Sequence, residues 1–139
     1  MLRIFYTSGL TLMIVAGLAA QPAFAETPNQ ILSSIQSEAK TVPGFQGFSA
    51  ERGAIFFKTQ HGKEFSCTSC HTENTAAQGK HASTGKAILP LAPSANAERF
   101  SDPAKVEKWF KRNCNDVVGR VCAAQEKGDV LTYLLTVKK

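Results

Sequence analysis

The chain has 139 residues, room for one small domain, with 43% hydrophobic residues and 16 basic against 11 acidic side chains, a net charge of +5. No block of Lys and Arg accompanies that mild excess, which argues against a nucleic-acid-binding protein and fits either an acidic protein partner or ordinary solubility. The sequence shows no repeat, low-complexity tract or second domain.

Residues 1–25 read as an export leader. Arg3 supplies the positive start, Leu10 to Ala20 form a short apolar core, and Ala23-Phe24-Ala25 is a small-residue cleavage site. That core is shorter than the roughly 20 apolar residues a membrane span needs. Cleavage after Ala25 leaves one domain, residues 26–139, with a net charge of +4, because Arg3 is the only charged residue removed.

A first helix is predicted from Thr27-Pro28-Asn29-Gln30 to about Lys40. Thr27 can cap it, Pro28 suits its first position and Gln30 can reach back. Ile31, Leu32 and Ile35 would face inward, and Val42-Pro43-Gly44 stops it. A second helix is predicted from Ser49 to near Gln60, with Gly53, Phe56 and Phe57 on its apolar face. Residues 72–97 read as loop, stiffened by Pro90 and Pro93. A loop of that length in a small domain is usually functional or disordered. Ser101-Asp102-Pro103 opens a third helix ending near Asn113, and a last helix runs from about Ala123 to Val137 with Leu131, Leu134 and Leu135 inward. Little of the chain alternates as a strand does, so the fold class is all-α.

Between the second helix and the loop lies Cys67-Thr68-Ser69-Cys70-His71. This spacing is a c-type haem attachment signal. Two thiols can add across the two vinyl groups on one porphyrin edge, and the next residue, His71, can offer its imidazole to the iron. Zinc, a thioredoxin-like dithiol and a plain disulfide are the rivals. The eight-residue offset of Cys114 and Cys122 is unlike a second zinc knuckle. A βαβ context is absent, and a plain disulfide leaves His71 unexplained. The motif and the leader together point to one covalent haem c. Such a group would give a small domain a large apolar centre. Phe45, Phe48, Phe56, Phe57, Leu89, Leu91, Phe100, Trp109 and Phe110 are the candidates to line it, or simply to form core. With Cys67 and Cys70 taken, an oxidising compartment favours a disulfide between Cys114 and Cys122.

Electron-carrying cytochromes c commonly use His and Met as axial ligands. The two methionines are Met1 and Met13, both in the leader, so the mature chain has none to offer. His61, His81, an Asn or Lys side chain, water or an open position remain. Val106, Trp109, Phe110 and Asn113 share one face of the third helix, an apolar stripe ending in an amide. From pattern alone, Asn113 is either a helix C-cap or an iron ligand.

Thr84-Gly85-Lys86-Ala87-Ile88-Leu89-Pro90-Leu91-Ala92-Pro93, Arg99-Phe100-Ser101-Asp102, Lys105 to Trp109, Arg112-Asn113-Cys114-Asn115 and Gly119-Arg120-Val121-Cys122 carry a further signal. With the haem motif, they make the chain resemble the sphaeroides haem protein (SHP) and cytochrome c″ family over nearly its whole mature length. The resemblance implies a small class I-like cytochrome c fold, about four helices around the haem. It also implies a distal ligand on the third helix that leaves when iron is reduced, an asparagine in the SHP branch, which maps onto Asn113. The family disulfide maps onto Cys114 and Cys122, and neither His61 nor His81 has a ligand role in the pattern. Arg99 is a candidate to pair with a haem propionate or is a surface residue. By analogy with class I cytochromes, the Pro90 carbonyl is a candidate acceptor for the second His71 nitrogen.

The function expected is that of a periplasmic monohaem cytochrome whose ferrous iron binds diatomic gases such as oxygen or nitric oxide. The resemblance suggests a dihaem cytochrome c and a membrane cytochrome b as electron donors. A plain electron shuttle is the alternative. An enzyme turning over oxygen, superoxide or nitric oxide is disfavoured, because no dedicated proton-delivery group is visible near the distal position.

Overall fold

The computed structural model describes residues 25–139. The expected leader core and its positive start fall outside them. Among the described residues no helix is long and apolar enough to cross a membrane.

The protein is all-α, with a short hairpin. Helix α1 spans Pro28–Ala39, α2 Ala50–Lys58, α3 Thr68–His71, α4 Pro103–Val117 and α5 Ala124–Thr136. Among the described residues there are thus five helices against the four or so expected, because the haem motif itself forms one turn of helix. At α1 the predicted capping box is present: Gln30 N–H donates to Thr27 Oγ1, and the Gln30 side chain accepts from the Thr27 N–H at 2.7 Å.

Helix α5 is the centre of the domain, with α1 and α2 both packed on it. Leu131 and Leu134 are fully buried, each such side chain contributing about 1.5–3 kcal/mol. The close crossing of α2 and α5 needs Gly53, since a Cβ there would overlap the Asp129 backbone carbonyl. The buried Asp129 carboxylate accepts from the Ser49 N–H at 2.7 Å, from Arg52 Nε at 2.9 Å and from Gln125 Nε2 at 3.0 Å. One acid thereby fixes the start of α2 against α5.

Two parts of the sequence fold differently from expectation. The loop after the motif contains a two-stranded antiparallel hairpin, β1 (Gly79–Lys80) against β2 (Ala87–Ile88), with Gly79 opposite Ile88. Two residues per strand are too few to show alternation. Helix α4 runs on to Val117, four residues past its expected end at Asn113. No breaker occurs until Gly119, whose φ of +80° ends the helix, with the Val118 and Gly119 amides both donating to the Cys114 carbonyl. A disulfide then joins Cys114 to Cys122, just ahead of α5. The buried Lys127 of α5 adds a second tie, its Nζ 3.0 Å from Glu107 on α4 and 3.4 Å from Glu38 on α1.

Candidate functional site

Helix α3 places Cys67, Cys70 and His71 within one turn, the His71 and Thr72 amides donating to the Cys67 and Thr68 carbonyls. Cys67 and Cys70 are half-buried and take part in no disulfide. The turn ends on Thr72, whose φ of 61° and ψ of 167° are a conformation that residues other than Gly rarely adopt. Hairpin β1–β2 lies directly on the motif. A Cβ on Gly79 would overlap the Cys70 carbonyl, and the Ala82 N–H donates to Cys70 Sγ at 3.3 Å.

The chemistry of this donor set suits haem c. Burial pushes the Cys67 thiol up to about 11, an outcome opposed by its backbone hydrogen bond. A buried, neutral thiol suits conversion to a neutral thioether. Burial, with the charge of Arg99, lowers His71 to about 4, so the ring is neutral at physiological pH and keeps a lone pair for a metal. The second cysteine pair is consumed by its own disulfide, and the described residues contain no cluster of His, Cys, Asp and Glu that could hold a metal ion. The zinc and dithiol rivals therefore fail on geometry and on fold.

An apolar wall surrounds the motif. Phe57, Val130 and Leu134 form its buried base, and Phe56, Cys67, Leu91, Phe100, Phe110 and Tyr133 pack against it. The Phe57 ring lies 6.3 Å from that of His71. Phe45 and Phe48, expected as possible lining, belong instead to the α1–α5 core with Ile31 and Leu131. Leu89 and Trp109 are exposed. Across the wall stands α4, which fully buries only Cys114. Of its stripe, Phe110 packs on this wall, Val106 packs on the α1–α5 core, and Asn113 is half-buried.

The remaining predicted residues divide. Asn113 lies inside α4, so it is not the C-cap of that helix. His61 is engaged locally, Nε2 2.8 Å from the Phe56 carbonyl and its ring against the Phe56 ring. His81 Nδ1 accepts from the Thr84 N–H within the hairpin turn. The Pro90 carbonyl accepts from Arg99 Nε at 2.9 Å and from Asn96 Nδ2 at 3.4 Å, so its lone pairs serve these two groups and not the His71 ring. Arg99 Nη2 donates to the Leu89 carbonyl at 2.7 Å. Gly79 and Thr75 were missed. A glycine in a polar loop can signal close backbone approach, as it does at Gly79. Thr75 is buried with no hydrogen-bond partner for its hydroxyl, while its carbonyl receives the Leu91 and Ala92 amides at 2.9 Å each. A threonine four residues past the motif carries no sequence signal of that role.

Comparison with known proteins bears on the same residues. A family model described as a domain of unknown function (DUF1924) matches residues 43–134. Cytochrome c″ of Methylophilus methylotrophus is 48% identical over 101 residues, 70% of each chain. The cytochrome c-type protein SHP of Cereibacter sphaeroides is 42% identical over 128 residues, 88% of this chain and 95% of that one. The chain belongs to the SHP/cytochrome c″ family. The structure of oxidised SHP, described as an oxygen-binding cytochrome c, has a TM-score of 0.70 at 41% identity, covering 79% of this chain and 96% of that one. Oxidised cytochrome c″ from Methylophilus methylotrophus gives 0.69 at 41% identity, covering 81% and 95%. As a member of the SHP/cytochrome c″ family the protein is a monohaem cytochrome, its cofactor is haem c, and its fold is the small all-α cytochrome c fold.

Proposed function

We propose that this is an exported, periplasmic cytochrome in which Cys67 and Cys70 hold the haem, His71 is the proximal iron ligand, and Asn113 is a distal ligand that leaves on reduction. Haem iron supplies the redox couple and, once five-coordinate, a site for oxygen or nitric oxide. The position of Asn113 carries the reading. It sits inside α4, half-buried, one turn beyond Phe110, and Phe110 packs into the same wall as Cys67 and Phe57.

The chain's own groups support redox-gated binding. Asn113 offers the iron a neutral, weak amide donor. One positive charge fewer on the metal would weaken the pull on that dipole and let the Asn113 side chain withdraw. Its amide N–H groups can then donate to a diatomic nearby. The Cys114–Cys122 disulfide and the Lys127–Glu107 contact anchor α4, so the side chain can move while the helix stays. Oxidised SHP is described as an oxygen-binding cytochrome c, the property proposed for this chain. Its electrons would come from a dihaem cytochrome c and, upstream, a membrane cytochrome b.

The test is visible spectroscopy of the ferric and dithionite-reduced protein, with and without carbon monoxide, on wild type and Asn113→Ala. The expected wild type is low-spin when ferric and five-coordinate and carbon-monoxide-responsive when ferrous. The variant should be high-spin or water-bound when ferric. An unchanged ferric spectrum in the variant removes Asn113 as a ligand. A six-coordinate ferrous spectrum unresponsive to carbon monoxide leaves a plain electron shuttle, and rapid catalytic consumption of a diatomic would instead mark an enzyme.

A further inference from the structure

The segment from Leu89 to Ala92 runs as a strap beside the haem motif, and both ends are tied. At one end the Leu91 and Ala92 amides donate to the carbonyl of Thr75, four residues after His71. At the other, Arg99 spans two successive carbonyls, Pro90 through Nε at 2.9 Å and Leu89 through Nη2 at 2.7 Å. Leu91 packs on the wall containing Phe57, whose ring neighbours that of His71. None of the ion pairs among the described residues includes Arg99. A guanidinium remains charged at any physiological pH, so a half-buried positive charge stands here without an acidic side chain of the described residues paired to it.

We propose that Arg99 is a positioning residue for the iron centre: it fastens the 89–92 strap on the His71 side and fixes there a positive charge, paired by no acidic side chain of the described residues, that favours the ferrous state. This rests on the reading of His71 as proximal ligand. The planar fork of Arg can hold two carbonyls at once where the single ammonium of Lys cannot. The strap carries that charge to the His71 side, since Leu91 packs on the Phe57 wall and the Phe57 ring lies 6.3 Å from that of His71. At an effective dielectric of about 20, a unit charge in the interior is worth roughly a tenfold change in a nearby charge equilibrium.

Arg99→Gln and Arg99→Lys in the haem-loaded protein separate the two roles. Spectroelectrochemical titration of Arg99→Gln should show a roughly tenfold fall in the ferrous-to-ferric ratio at the wild-type midpoint, about 59 mV for a one-electron couple. Arg99→Lys should stay within about twofold of wild type, because it keeps the charge. Both should speed hydrogen exchange at the Leu91 and Ala92 amides by about tenfold or more, as the strap loosens. An unchanged midpoint in a folded Arg99→Gln would overturn the charge role, the result expected if a haem propionate already neutralises the guanidinium. Unchanged exchange in both variants would overturn the strap role. The proximal reading is checked first and separately, by the haemochrome and ferrous spectra of wild type. A wild-type iron without a histidine ligand would overturn that reading and the proposal with it, whatever the variants do.

Discussion

Arg52 on α2 grips Asp129 on α5 with two nitrogens, Nε 2.9 Å from Oδ2 and Nη2 3.0 Å from Oδ1. The pair is asymmetric: the Asp129 side chain is 6% exposed and that of Arg52 44%. The carboxylate also holds the Ser49 amide and the Gln125 side chain. Asp129→Ala should therefore cost about 2–4 kcal/mol, through several lost bonds at a buried site. Arg52→Ala should cost less than half of that, because Ser49 and Gln125 still serve the acid. Urea unfolding with an unchanged m-value is the measurement, and equal losses in the two variants would contradict the asymmetry.

The same crossing predicts an order for two glycine substitutions. A Cβ on Gly53 would meet the backbone of Asp129, whereas one on Gly128 would meet the Phe48 ring. Backbone cannot yield without moving a helix, but a half-buried ring can turn. Gly53→Ala should lose about 2–3 kcal/mol and Gly128→Ala roughly 1 kcal/mol, within the range for overpacking. A thermal melt showing the reverse order would contradict the close-approach role of Gly53.

A pH effect follows at the start of α5. The Arg120 side chain holds the Glu126 carboxyl below the usual carboxylate range, burial opposes this, and the Ala123 amide adds to the lowering. The folded value is the lower one, so the stabilisation is complete above the unfolded pKa of about 4.3 and is lost as pH falls through the folded pKa. Arg120 is 54% exposed, which limits the contribution to about 0.5–1 kcal/mol. Glu126→Gln should trail wild type by that amount in urea at pH 7, and the gap should narrow as pH is taken to about 3. A gap independent of pH would mean that the charge of Glu126 contributes nothing.

Removing the disulfide with Cys114→Ser and Cys122→Ser together should cost about 2.5 kcal/mol, the loop-closure estimate for a loop of this length. It should also free the end of α4 next to Asn113. In the haem-loaded protein the ferric spectrum should then become a mixture of low- and high-spin forms. A wholly low-spin spectrum at lower stability would show that α4 holds its place without the bridge.

Chemistry that depends on spacing was legible in the sequence. Cys67, Cys70 and His71 are adjacent in the chain, so one turn of helix suffices to assemble them. The lack of a methionine after Met13 is likewise a property of composition. Thr27 and Asp102 cap their helices as local rules require, since a cap involves residues only three apart.

What only the tertiary structure decided involves residues far apart in sequence, or groups with several possible partners. Asn113 is not a helix cap because α4 continues to Val117, a boundary that propensity places loosely. Arg99 reaches the Leu89 and Pro90 carbonyls, ten and nine residues back, a pairing that only the fold of residues 89–99 brings about. Pro90 was taken up by the same contacts. Phe45 and Phe48 went to the α1–α5 core and Phe57 and Phe110 to the wall that Cys67 joins, a division that hydrophobicity cannot make. Burial, and the identity of whatever stands opposite a side chain, arise only once distant segments are packed together.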